Sequence, residues 1–244
     1  MRALCFVLFV SFLLQSCSST FYVPPAHAVP GIRSKGEKIL SINGGGGQAN
    51  IHYAEGITDR LAFQTNASGL YFNSQAYGLD LMEGRDLCYG FMAEGGLGYF
   101  GELGKGFHVE LYGLGAVGMM SNDFKNDLSR MLYGLQGNLN ANFYRIGIQP
   151  ALHFSYKWLS IAGACSWYGL HYDRITGTLM EEGIDQRALL RSMAKSSLFE
   201  SSLTARFGWS NFKFQLQYVN SRNLNYDDFP MQGSTGFLGV HYRL

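Results

Sequence analysis

Six histidines in a chain of 244 residues invite a catalytic reading, and two pairs sharpen it. His153 and Ser155 stand two apart, as do His108 and Glu110, so an acyl-transfer pair and a general acid–base pair can both be written. Two glycine runs, Gly96-Leu-Gly98-Tyr-Phe-Gly101 and Gly113-Leu-Gly115-Ala-Val-Gly118, match the G-x-G-x-x-G spacing that lets a backbone approach a pyrophosphate. Context argues against each. The nucleotide-binding glycines need a strand before them and a helix after, inside βαβ alternation. The first run leads into another strand pattern, and no such alternation surrounds the second. Gly44 to Gly47 lacks the Gly-Lys-Ser/Thr of a phosphate-binding loop and reads as a hairpin turn. Residues two apart on a strand share a face by geometry alone, and no G-x-S-x-G elbow supplies a nucleophile. No enzymatic activity, cofactor or metal is expected. Cys88 and Cys165 have no Cys or His at ligand spacing and read as buried thiols.

The elements that carry these residues have a period of two. Tyr144, Ile146, Ile148, Pro150, Leu152, Phe154, Tyr156 and Trp158 alternate with Phe143, Arg145, Gly147, Gln149, Ala151, His153, Ser155 and Lys157. One face is apolar throughout, a pattern that no helix produces. Pro150 lacks an N–H for the ladder, so a bulge or an irregular pair is expected there. The same alternation runs through Phe199 to Trp209 and Phe212 to Tyr218, split by a turn at Ser210-Asn211, and reaches the terminal residue through Leu238, Val240, Tyr242 and Leu244. Ten strands follow, at residues 38–44, 48–54, 60–71, 87–99, 106–118, 143–157, 159–171, 197–208, 212–222 and 234–244. The first two are the weakest, so eight and twelve are the competing counts. Residues 178–195 look helical, with Leu189, Leu190 and Met193 placed to cap a barrel mouth.

Which face is inside decides the class. A soluble sandwich or lipocalin buries its apolar face, whereas a membrane barrel turns it to lipid and keeps polar groups in the lumen. Aromatics cluster at the ends of the apolar rows (Tyr99, Phe107, Trp158, Trp209, Phe212, Tyr242), as interfacial girdles do. Short connectors near residues 56–58, 101–106, 158 and 210–211 alternate with long ones near 73–85, 119–142, 173–195 and 223–232, the asymmetry of outer-membrane barrels. The expected fold is therefore an all-β, transmembrane, antiparallel up-and-down barrel. Its lumen must be filled by paired polar groups, namely Glu94, Glu110 and Glu200 with Arg145, Arg206, Arg243, His153 and His241. Lys+Arg 19 against Asp+Glu 18 leaves a charge of +1, which recommends no nucleic-acid partner. Charged residues make up only 15% of the chain, against about 25% in an average soluble domain.

The start of the chain carries an address. After Met1-Arg2, residues Leu4 to Leu14 are almost wholly apolar, the length of a signal-peptide core and too short for a transmembrane helix. Leu14-Gln15-Ser16-Cys17 then resembles the lipobox of bacterial lipoproteins. That resemblance implies cleavage after Ser16 and diacylglyceryl and palmitate-type acylation of Cys17, and Ser18 resembles the sorting residue of lipoproteins sent to the outer membrane. The competing reading is an ordinary secretory signal cut at Ala26-His27-Ala28. On the lipobox reading the chain divides into a signal peptide at 1–16, a lipidated extended tether at 17–36 with three of the five prolines, and a barrel at 37–244.

The ending Leu238-Gly-Val240-His-Tyr242-Arg-Leu244 resembles the C-terminal insertion signal of outer-membrane proteins, although it finishes in Leu rather than Phe. Phe21-Tyr22-Val23-Pro24, Val29-Pro30, Lys35-Gly36-Glu37, Tyr53-Ala54, Thr58-Asp59 and Gln149-Pro150 resemble a family of outer-membrane β-barrel lipoproteins of Bacteroidetes-type Gram-negative bacteria, most without an assigned activity. The even strand count puts the C-terminus in the periplasm, and the resemblance implies a bacterial outer-membrane location. It also implies three partners, the lipid bilayer, the barrel-assembly machinery and the lipoprotein-sorting machinery. It transfers no catalytic residue. The expected role is structural or surface interaction. The competing roles are a small-solute pore, a lipid-modifying enzyme and a tethered lipocalin-like binder with an apolar lumen.

Overall fold

A computed structural model describes residues 19–73, 86–209 and 211–244; the expected signal peptide, Ser16, Cys17 and most of the connector after Asn73 lie outside them. Eleven strands form: β1 (Lys38–Gly45), β2 (Gln48–Gly56), β3 (Leu61–Asn73), β4 (Asp86–Gly104), β5 (Phe107–Phe124), β6 (Gln136–Tyr156), β7 (Leu159–Glu181), β8 (Ile184–Asp185), β9 (Lys195–Gly208), β10 (Phe212–Asn223) and β11 (Ser234–Arg243). Two seven-residue helices, α1 (Asp127–Tyr133) and α2 (Gln186–Ser192), sit in the connectors. Each barrel strand pairs antiparallel with its neighbours, and β1 pairs β11 from Ile39↔Arg243 to Gly44↔Leu238. The sheet is therefore a closed barrel of ten strands, and β8 is a two-residue strand folded back on β7 outside it.

Side-chain direction settles the class. Leu97 is 67% exposed, Ile146 66% and Leu238 67%, while Arg145 is 1% and Gln215 2%. Apolar side chains face outward and charged ones inward, the arrangement of a barrel solvated by lipid. The lipocalin-like alternative required the reverse and is overturned. Tyr99, Trp158, Trp209 and Tyr242 stand exposed at the short-turn end, and Tyr71, Tyr89, Tyr144 and Trp167 stand exposed toward the long-loop end, giving two aromatic belts.

Above the upper belt the pattern inverts. Along β6 the outward positions change from Tyr144 to Asn142, Asn140 and Asn138, while the inward ones become Phe143, Ala141 and Leu139. Opposite this point a bulge at Asn142/Phe143 makes Asp173 the extra residue of β7 and swaps that strand's faces, so Ile175 and Leu179 turn inward. A bilayer needs roughly 9–11 residues per tilted strand. β7 has 23 residues, so its upper half continues past the membrane as a water-exposed barrel with an apolar inside. Strands expected to stop at 118, 171 and to begin at 143 are longer for this reason. Helix α2, N-capped by Asp185 accepting from Arg187 N, buries Leu190 in this apolar cap, and Met193 packs against it. Residues 178–181, expected as part of the helix, belong to β7.

The ladder irregularity at Pro150 is present without a bulge. β6 pairs β7 at Ile148↔Trp167 and again at Ala151↔Ala164 in the same register, with Gln149 and Pro150 unpaired on that side. The β1–β2 turn uses Gly46 and Gly47, both at positive φ, as a two-residue hairpin requires. The glycine runs face each other on β4 and β5. A Cβ on Gly98 would meet the Tyr112 ring at 2.3 Å and one on Gly96 the Gly113 carbonyl at 2.3 Å, so these glycines make room for lumen side chains.

Candidate functional site: the occupied lumen

Ser19–Gly36 runs through the barrel. Ser19 Oγ donates to Glu181 and Thr20's carbonyl accepts from Asn122 Nδ2 at the long-loop end, whereas Gly36 N donates to the Gly56 carbonyl at the short-turn end. The segment expected as a tether is extended, and its place is the lumen. Ten strands enclose slightly more than the side-chain-filled interior of about eight, and one extended chain takes the difference. Phe21, Tyr22, Ala26, His27, Val29 and Ile32 are buried.

The wall treats this segment as a partner strand would. Gln217 accepts from His27 N at 2.9 Å and donates to the His27 carbonyl at 3.0 Å. Asn50 accepts from Ala26 N at 3.2 Å, and Glu110 accepts from Ile32 N at 2.8 Å. Gln48 donates to the Pro24 carbonyl, Gln149 to that of Ala28 and Arg206 to that of Val29. Buried backbone groups need such partners, and Pro24, Pro25 and Pro30 remove three N–H groups that would otherwise need one.

The charged lumen residues fall into two groups. At mid-height Arg145 pairs with Glu94 at 2.6 Å and Glu200 at 3.3 Å, and its guanidinium lies 3.9 Å from the centre of the Tyr168 ring. Glu200 also accepts from Tyr22 Oη at 2.7 Å, meets His27 Nε2 at 3.0 Å and accepts from Ser221 Oγ at 3.2 Å. Glu94 accepts from Asn66 Nδ2 at 2.8 Å. Nearer the short turns, His153 Nε2 lies 2.9 Å from Glu110, and the His108 and His153 rings stack with centroids 4.3 Å apart. Arg206 Nε donates to Gln215 at 2.6 Å, His241 Nδ1 lies 2.9 Å from Ser41 Oγ, and Arg243 pairs with Glu37 at the rim. Sequence reasoning missed Tyr22, His27, Tyr168, Asn50 and Gln48. The signal was there: inward Asn and Gln at 48, 50, 149 and 217 are the residue types that hydrogen-bond a peptide group from both sides. Ser155 bonds Ser160 at 3.1 Å, and His153 is engaged by Glu110, so the acyl-transfer pair drawn from spacing is not assembled.

No protein-family model matches the chain, and no curated protein matches its sequence. Its strand architecture is similar to that of three solved barrels. The translocator domain of the autotransporter NalP from Neisseria meningitidis is 11% identical over 85% of this chain and 87% of that one, with a TM-score of 0.45. A major outer-membrane protein from Thermus thermophilus is 10% identical over 85% and 99%, at 0.39. An outer-membrane channel from Pseudomonas putida is 12% identical over 89% and 100%, at 0.37. At these values none of them assigns a role. The chain's own inside-out pattern decides its class. The molecule is an outer-membrane-type β-barrel.

Proposed function

We propose that the protein is a plugged, non-enzymatic outer-membrane lipoprotein with a structural or surface-interaction role, acting through its long loops and apolar-cored cap. One observation carries the reading: Ser19–Gly36 fills the lumen and is hydrogen-bonded to its wall along its length. Such a plug argues against a small-solute pore. It also favours Cys17 over Ala28 as the mature start, because cleavage at Ala28 would strip Tyr22 and His27 from Glu200 and leave that buried carboxylate only Arg145 and Ser221.

The test combines two measurements. The full chain in a planar bilayer is expected to give no steady conductance, and a variant lacking residues 19–36 is expected to give open-channel steps or fail to assemble. Metabolic labelling with palmitate is expected to mark the wild type and not Cys17→Ala. Steady channels from the full chain, or label retained by Cys17→Ala, would overturn the reading.

A further inference from the structure

At the short-turn mouth a cavity of about 200 Å³ lies between the N-terminal segment and the wall. Five cations line it: Arg33, Lys157, Arg206, Lys213 and Arg243. No Asp or Glu lines it among the described residues; Glu37 pairs with Arg243 at the rim, and Glu110 lies behind His153. Arg206 is buried and donates only to the neutral oxygens of Gln215 and Val29, making no ion pair among the described residues. A buried charge without a counter-ion is costly.

His108 Nε2 and His153 Nδ1 are buried without a hydrogen-bond partner. Both point to Gly31, whose added Cβ would lie 3.3 Å from each nitrogen. His108 can carry its N–H at Nε2 and donate there, whereas His153, whose Nε2–H is taken by Glu110, donates from Nδ1 as the imidazolium. The same residues with Glu110 also have the donor set for a metal, their ligand atoms lying within 4.8 Å of one another. Electrostatics decides between the two ligands. A cation would face five like charges, and Glu110's oxygens are already taken by His153 and Ile32 N, whereas an anion supplies the missing counter-charge. The volume is below the roughly 300–1,000 Å³ of drug-sized ligand sites, so the ligand is small.

We propose that this pocket binds a phosphate-type oxyanion, held between Arg33 on the N-terminal segment and Arg206, Lys213 and the histidines of the wall. The group is either free phosphate or the phosphate of a lipid headgroup reaching the mouth. Because both the segment and the wall contribute, occupancy also ties the plug in place.

The full chain in a phosphorus-free neutral detergent, titrated calorimetrically with inorganic phosphate against chloride at equal ionic strength, is expected to show saturable binding for phosphate alone. Arg33→Gln and Lys213→Gln leave the described lumen hydrogen bonds intact, and together they are expected to weaken binding at least about tenfold, near 1.4 kcal/mol. Lys213→Arg is expected to retain it. Arg206→Gln is expected to abolish it if the variant folds, and the two rim variants decide the matter if it does not. Repeating the titration in phospholipid nanodiscs separates the sources: binding that persists identifies the free anion, and binding that disappears identifies a headgroup already seated. Heats no different from chloride, or a double rim variant that binds like the wild type, overturn the proposal.

Discussion

Arg145 is held by two carboxylates, a phenol and an aromatic face, all from different parts of the chain. Its pairing with glutamates was legible, because alternation puts Glu94, Arg145 and Glu200 on inward faces. Its contact with Tyr22 was not, because Tyr22 lies 123 positions away in a segment without strand periodicity. Removing one member of a buried ion pair costs more than the pair contributes, since the partner charge stays desolvated. Arg145→Gln leaves Glu94 and Glu200 facing each other without a cation, and a loss of about 3–5 kcal/mol is expected. The urea midpoint of the folded barrel, read by the mobility of unheated samples on gels, checks it; an unchanged midpoint would show that the cluster contributes nothing to stability.

Among the elements, six of the ten barrel strands were read to within two residues, β4 to β7 run well past their expected ends, and the N-terminal segment was read as a tether. The strands announce themselves because lipid on one side and a polar lumen on the other force strict alternation. A chain that threads a lumen is enclosed on every side, by apolar wall residues as well as polar ones, so its sequence carries no period, and its prolines look like those of a solvated linker. Gln217 shows what holds it. Gln217→Leu deprives the His27 N–H and carbonyl of their shared partner, and each orphaned buried group costs about 1–3 kcal/mol. Since the barrel ladders are untouched, the loss is expected to appear locally: a protease should cut within residues 19–36 much faster in Gln217→Leu than in the wild type while the barrel stays intact. Equal rates would mean that the segment is held elsewhere.

At the level of the whole molecule, the inversion of β6 and β7 divides the barrel into a lipid-facing lower part and a water-exposed upper part. The two parts should answer oppositely to surface charge. Leu203 is 60% exposed in the apolar band, whereas Thr178 is exposed on β7 above the bulge. Leu203→Arg is expected to destabilise the folded barrel by about 2–4 kcal/mol and Thr178→Arg by about 0–1, measured as unfolding free energies in lipid vesicles. Similar costs at both positions would remove the membrane boundary drawn between Tyr144 and Asn142.

Local chemistry in the sequence was enough for the ten strands, their outward faces, the girdles and the loop asymmetry, because each depends only on which side of a pleat a residue occupies. Closure by β1 on β11, the plug in the lumen, the apolar cap and the convergence of Arg33 with Arg206 and Lys213 were decided by the tertiary structure alone. They join residues far apart in the chain, and the side-chain period is blind to which distant segment a polar face will meet.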